Sequence, residues 1–335
     1  MGTVLVTGIG GFIGRHIAAE LIRCGFSVRG TLRDLARGPE VEASIRAAAG
    51  QLPAEIGFAA ADLLDGTGWA TAMQGVDAVI HCASPFPARV PERDDDLVRP
   101  AREGTLRVLK AAREAGIRRV VLTSSIAAVC YGSGRSPFTE EDWTDPDGPL
   151  TTPYYRSKTL AEKVAWQFAA ESGLDLSVIN PGLVLGPLIG KTYGTSVGLV
   201  AKAMRGVYPA VPKLSLPVAD VRDVARAHVL ALQTPEAVGE RFIVAAESLS
   251  FREIMGILRV TAPDHARKLP RLELPNLVTR LVERFDRSLT PIIRELGRDT
   301  RVSNDKVRRV LGLTPRPARE AVAASGLSLI AAGLV

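Results

Sequence analysis

Directly behind the short apolar run Val4-Leu5-Val6 stands Thr7-Gly8-Ile9-Gly10-Gly11-Phe12-Ile13-Gly14, and apolar residues then recur as Ile13, Ile17, Ala18, Leu21 and Ile22. Three- to four-residue spacing makes the latter one face of a helix that ends near Gly25. A strand, a glycine-rich turn and a helix in that order admit few folds. Gly8 permits the tight turn, Gly11 lets backbone N–H groups approach an anionic ligand, and Gly14 lets helix and strand pack closely, with the positive helix end facing a pyrophosphate. The segment predicts the dinucleotide-binding edge of a parallel α/β sheet, with Thr7, Gly8, Gly11, Phe12, Ile13 and Gly14 as cofactor contacts.

The same alternation continues along the chain. Strand-like runs lie at Val28 to Leu32, Ile56 to Ala60, Ala78 to Cys82, Val120 to Thr123, Leu176 to Asn180 and Phe242 to Ala245, separated by segments long enough for crossover helices. With the first run this predicts seven strands. Helical stripes include Val98, Ala101, Thr105, Val108, Leu109, Ala112, then Leu160, Ala161, Val164, Phe168, and later Val221, Val224, Ala225, His228, Val229, Leu232. After Pro181 prolines break the pattern. The reading is an α/β fold, a Rossmann-type doubly wound parallel sheet with a smaller C-terminal substrate-binding domain. Residues 1–180, completed by 218–247, form the dinucleotide-binding part; 181–217 and 248–335 form the smaller domain and C-terminal helices, ending in a packed helix over the last residues.

Composition narrows the function classes. A chain of 335 residues with 46% hydrophobic and 23% charged residues buries a sizeable core without staples. Its net charge of +6 would allow polyanion binding, but the basic stretches Arg102 to Arg119 and Arg298 to Arg309 also carry Glu103, Glu114, Asp299 and Asp305, as solvated helix faces do. A nucleic-acid role is not expected. Cys24, Cys82 and Cys130 follow no metal or disulfide spacing, no signal peptide or spanning segment is apparent, and His81 and His228 sit in apolar runs as core residues. A cytoplasmic protein without metal or membrane, monomer or homodimer, is expected.

The second strand ends Arg29-Gly30-Thr31-Leu32-Arg33, without the acid that would take a ribose 2′-hydroxyl, although Asp34 is adjacent. Arg33 can pair with a 2′-phosphate, so NADP(H) is favoured over NAD(H); the alternative is that Arg33 and Arg37 are surface charges near a turn. Asp62 and Leu63, after the third strand, are candidates to bracket the adenine, or Asp62 caps a turn.

Tyr154 and Lys158 lie four apart in Tyr154-Tyr155-Arg156-Ser157-Lys158, one helical turn from each other. A phenol is a poor proton donor near neutrality, and a neighbouring ammonium favours its ionised form. The fifth strand ends Thr123-Ser124-Ser125, delivering hydroxyls to the crevice where open parallel sheets bind ligands. Ser125, with Ser124 as the alternative, can hydrogen-bond a carbonyl oxygen as it gains negative charge.

Taken together these residues resemble the extended short-chain dehydrogenases/reductases of the epimerase/dehydratase superfamily, in the branch of dihydroflavonol reductase, cinnamoyl-CoA reductase and microbial aldehyde/ketone reductases. The resemblance rests on TGIGGFIG (7–14), LRD (32–34), ADLLD (61–65), VIHCASPF (79–86), EGTLRVLKAA (103–112), VVLTSSIAAV (120–129) and YYRSK (154–158). It continues in INPGLVLGP (179–187), VADVRDVARAHVLAL (218–232) and SNDKVRRVLG (303–312). It implies a catalytic Ser125, Tyr154 and Lys158, cofactor contacts from Ala83, Ser84, Pro181, Gly182 and Leu183 besides Tyr154 and Lys158, and hydride transfer from NADPH to a small-molecule carbonyl. Ser84, Phe86, Tyr155 and Tyr193 are candidate substrate contacts. The alternatives are an NAD-dependent nucleotide-sugar epimerase/dehydratase, a hydroxysteroid dehydrogenase, and a non-catalytic NADP-binding sensor.

Overall fold

The computed structural model describes residues 2–84, 95–283 and 293–335. Its first half alternates strand and helix: β1 (Thr3–Thr7), α1 (Phe12–Arg23), β2 (Ser27–Leu32), α2 (Gly38–Ala49), β3 (Ile56–Ala60), α3 (Trp69–Met73), β4 (Ala78–His81), α4 (Asp95–Glu114), β5 (Arg119–Thr123), α5 (Pro153–Ser172) and β6 (Asp175–Pro181). The second half holds β7 (Leu183–Leu185), α6 (Thr195–Met204), β8 (Ala210–Pro212), β9 (Ser215–Asp220), α7 (Val221–Gln233), β10 (Arg241–Val244), β11 (Ser248–Ser250), α8 (Phe251–Thr261), β12 (Leu272–Leu274), α9 (Asn276–Glu283), α10 (Asp305–Leu311) and α11 (Ala318–Ala331).

All seven expected strands join one sheet, in the order β10-β6-β5-β4-β1-β2-β3, and every pairing in it is parallel. The strands are apolar on both faces because helices cover both. On one face Ile17, Leu21, Val41, Ile45, Val224 and Val229 pack against Val4, Val6 and Phe242. On the other Val108, Leu109, Ala112 and Ala165 pack against Leu5, Val79, Val120 and Val178. Strand order reverses between β1 and β4, so a crevice opens at their carboxyl ends.

The proline-rich second half builds a three-stranded sheet, β11-β9-β7, and a two-stranded one, β12-β8. Val197, Met204, Ile254, Leu258, Val322 and Leu329 gather there into a separate cluster. Helix α10 is different: Val307 and Leu311 are buried in the core of the large sheet. The stretch 248–335 therefore does not pack as one body, because its apolar residues divide between two cores.

The stripe read on α4 is buried throughout, from Val98 to Ala112. On α5 the reading needs correction. Leu160, Val164 and Phe168 are only half-buried, and the inward face runs Ala161, Glu162, Ala165, Ala169. A carboxylate at position 162 reads as solvent-facing in sequence, but here it meets the buried guanidinium of Arg241. Among the described residues no helix is long and apolar enough to cross a membrane.

Candidate active site

The glycine turn is built as its spacing requires. Gly8 adopts φ +68, and a Cβ there would stand 3.0 Å from Ala83 Cα at the end of β4. A Cβ on Gly14 would lie 2.4 Å from Gly8 O and 2.9 Å from Ile9 Cα, so only glycine lets α1 sit this close to the strand. The N–H of Gly11 closes the turn on Gly8 O at 2.9 Å. No side chain caps the N terminus of α1, which leaves the first N–H groups, at Phe12 and Ile13, to an external acceptor. Gly11 is exposed in front of them.

Arg15 braces this turn from behind. Its side chain is fully buried; it donates to Gly10 O, Ser44 and Thr192 and pairs with both oxygens of Glu40 at 2.8 Å. The guanidinium holds the Glu40 carboxyl below the usual carboxylate range. Sequence reasoning missed Arg15, since an arginine in an amphipathic helix reads as surface.

Thr7, a cofactor contact on the sequence reading, has a fully buried side chain. Its hydroxyl accepts the Cys82 and Ala83 N–H groups at 3.1 and 3.0 Å, and shares a 2.8 Å hydrogen bond with His81 Nδ1. Two lone pairs taken by N–H donors direct the Thr7 proton to His81, which is neutral because burial, then the Lys158 charge, lowers its pKa to about 3. Thr7 thus joins the carboxyl ends of β1 and β4. Phe12 is buried edge-on against His16.

At the end of β2, Arg33 is exposed and Arg37 reaches over the turn, its Nη1 3.9 Å from where a Cβ on Gly10 would stand. The neighbouring Asp34 accepts from Ala36 N at 2.9 Å and caps the short turn Leu35–Arg37. Asp62 likewise accepts from Leu64 N at 3.0 Å, so its turn-capping role is realised, and Leu63 is buried under α4. Pro181 ends β6 in the core, while Gly182 packs against β9, where a Cβ would stand 2.3 Å from Pro217 O, and Leu183 opens β7.

The hydroxyls after β5 separate cleanly. Ser124 donates to the buried Glu162 at 2.5 Å and points into the protein. Ser125, half-buried, accepts from Ala127 N at 3.1 Å at the head of a short turn. Of the two, Ser125 is the less buried. Helix α5 starts there because Thr152 caps Tyr155 N and Pro153 takes the first helical position. Tyr154 and Lys158 lie on its first turns, both half-buried. Lys158 Nζ donates to Ser84 Oγ at 3.2 Å, bringing α5 to the end of β4.

Among the substrate candidates, Phe86 lies outside the described residues. Tyr155 stacks on Tyr131 with ring centroids 3.9 Å apart, and its hydroxyl donates to the buried Glu295 at 2.7 Å. Its phenol is thus committed to the protein, and burial and that carboxylate push its pKa up. Tyr193 covers Gly198 and accepts from Arg205 at 3.5 Å. Cys82 is a packed thiol, raised to about 11 by burial. His228 is neutral, lowered to about 4 by burial, and bridges Thr123 and Val224 O. Among the described residues no cluster of three or more His, Cys, Asp or Glu could hold a metal.

The edge of β1 and β2 fits a dinucleotide: the helix end is uncapped, Gly11 is exposed in front of it, Arg37 reaches over the turn and Arg33 is exposed at the end of β2. Comparison with known proteins agrees. The family described as NAD dependent epimerase/dehydratase matches residues 4–245. Cinnamoyl-CoA reductase 1 of Petunia hybrida is 39% identical over 267 residues, 78% of each chain. Dihydroflavonol 4-reductase of Zea mays is 31% identical over 275 residues, 79% of this chain and 75% of its own. Yeast methylglyoxal/isovaleraldehyde reductase Gre2, solved with NADPH, superposes with a TM-score of 0.79 at 27% identity, covering 99% of this chain and 100% of its own. Fold, glycine turn and relatives converge: the chain belongs to the NAD dependent epimerase/dehydratase family, the extended short-chain dehydrogenases/reductases.

Proposed function

We propose that this protein reduces aldehydes or ketones to alcohols with NADPH, reversibly, using Ser125, Tyr154 and Lys158. As a member of its family with named reductases among its relatives, the chain is an NAD(P)-dependent oxidoreductase. The observation that carries the finer reading is the bond from Lys158 to Ser84, which gathers the head of α5 at the β4 and β5 strand ends. The substrate enters between the glycine turn and the smaller sheets, and the cluster built on those sheets, without α10, supplies its far wall.

NADPH, when bound, supplies a hydride to the carbonyl carbon. Arg33 and Arg37 would hold its 2′-phosphate, the N–H groups at Phe12 and Ile13 its pyrophosphate, and Asp62 the adenine edge. Ser125 donates a hydrogen bond to the carbonyl oxygen and stabilises the negative charge that gathers there. Tyr154 gives that oxygen its proton and becomes phenolate, which the Lys158 ammonium stabilises until solvent restores the proton. Ser84 keeps Lys158 at the strand ends.

The test is loss of reduced-cofactor absorbance with a panel of aldehydes and ketones, with NADPH or NADH, beside Tyr154→Phe. Turnover preferring NADPH, cut by about 10²–10⁴-fold in the variant, is expected. A variant as active as the parent would remove Tyr154 from the reaction. Epimerisation of a UDP-sugar without added cofactor would replace the reductase reading altogether.

A further inference from the structure

We infer that Glu162 is a positioning residue for the Ser125 hydroxyl, acting through Ser124 and Asn180; this rests on the Ser125, Tyr154 and Lys158 reading above. Tyr154, Lys158 and Glu162 follow at four-residue intervals on one face of α5, and the Glu162 side chain is fully buried. Its carboxylate meets donors only. Oε1 accepts from Arg241 Nε at 2.6 Å and Trp166 Nε1 at 3.3 Å; Oε2 accepts from Ser124 Oγ at 2.5 Å and Asn180 Nδ2 at 2.8 Å. An ionised carboxylate has about four lone-pair directions, and all are used.

Two of these donors bear on Ser125. Ser124 is its chain neighbour, and the same Asn180 Nδ2 donates to Ser125 O at 3.1 Å. Asn180 Oδ1 is buried without a partner among the described residues, so the amide is oriented by its donor side alone. The backbone is thereby held on both sides of Ser125, whose hydroxyl is then aimed by Ala127 N. Arg241 extends the network into the following loop. It donates to the carbonyls of Glu140 and Asp142, each at 2.9 Å, and lies 3.7 Å over the Trp143 ring. A buried ion pair is a poor route to stability, since apolar side chains of equal volume do as well. Its value here is a fixed geometry at the residue that meets the substrate oxygen.

A double-mutant cycle tests this. Glu162→Gln, Ser124→Ala and Ser125→Ala are compared singly, and the first two again in the Ser125→Ala background, by single-turnover rate, NADPH dissociation constant and Tm. Glu162→Gln and Ser124→Ala are expected to slow turnover by about ten- to a hundredfold with NADPH binding unchanged, yet by less than about twofold once Ser125 is alanine. Equal losses in both backgrounds, or a loss confined to Tm and cofactor binding, would overturn the inference. Glutamine can unfold the chain by leaving Arg241 unpaired; Ser124→Ala keeps the ion pair, and its cycle then decides. If Ser125→Ala and Tyr154→Phe both keep full activity, the catalytic reading fails and takes this inference with it, an outcome distinct from additivity.

Discussion

Lys158 Nζ and Ser84 Oγ are 3.2 Å apart across 74 residues of chain, and this bond carries the head of α5 to the end of β4. The same ammonium depresses the pKa of His81 and opposes the burial that raises Cys82, so its charge is felt at the strand ends. Ser84→Ala removes a hydrogen bond to a charged group. A loss of about tenfold in kcat is expected, with larger loss in Lys158→Met. Steady-state kinetics at saturating NADPH check it; a Ser84→Ala enzyme with unaltered kcat would mean that Lys158 is held by other contacts.

Arg33 and Arg37 flank the end of β2, while the carboxylate of Asp34 is occupied by its own turn. Replacing either arginine by alanine should raise KM for NADPH by about 10–100-fold, as expected for a charge-assisted pair, and leave KM for NADH nearly unchanged. Equal effects on the two cofactors would assign both residues to the surface.

Three buried histidines disfavour the folded state in acid. Burial lowers His16 and His228 to about 4 and His81 to about 3, all below their ordinary 6.5. The unfolded chain therefore binds more protons below pH 6.5, so stability is complete above that pH and falls as pH drops toward 4. Full titration costs the folded state about 3 kcal/mol each for His16 and His228 and about 5 kcal/mol for His81. Melting temperature measured from pH 7.5 to 4.5 should fall steadily. His16→Gln, which can keep the bond to Pro187 O, should shallow that fall; an unchanged slope would clear His16 of the effect.

Gly14→Ala places a methyl group against two backbone atoms that cannot swing aside. Overpacking of this kind costs about 1–3 kcal/mol, or about 2–4 °C of Tm per kcal/mol. Because the displaced atoms belong to the turn itself, NADPH affinity should fall together with Tm. Calorimetry and a cofactor titration would separate the two; unchanged affinity would show that the turn tolerates the shift.

The large sheet was legible because parallel strands buried on both faces must be apolar runs, and their crossover helices must carry one apolar stripe. The glycine turn was legible for a related reason: Gly8 and Gly14 are required by a positive φ and by a backbone contact, both local in the chain. That Tyr154 and Lys158 lie one helical turn apart was legible for the same reason, since a single helix settles it.

What sequence determined here is therefore whatever depends on neighbours within a strand, a turn or a helix. Tertiary structure decided the rest. Ser124 and Ser125 are chemically identical and adjacent; only the approach of Glu162 from α5 separates them. The Thr7 hydroxyl is engaged by the backbone that follows β4, a pairing across 75 residues that the sequence does not display. Glu162 and Arg15 read as surface charges because a lone charge belongs in water, and each is buried only because a distant partner, Arg241 or Glu40, compensates it. Pairing across the chain leaves no periodic mark in the sequence, so charge burial becomes visible only when the sheet brings the partners together.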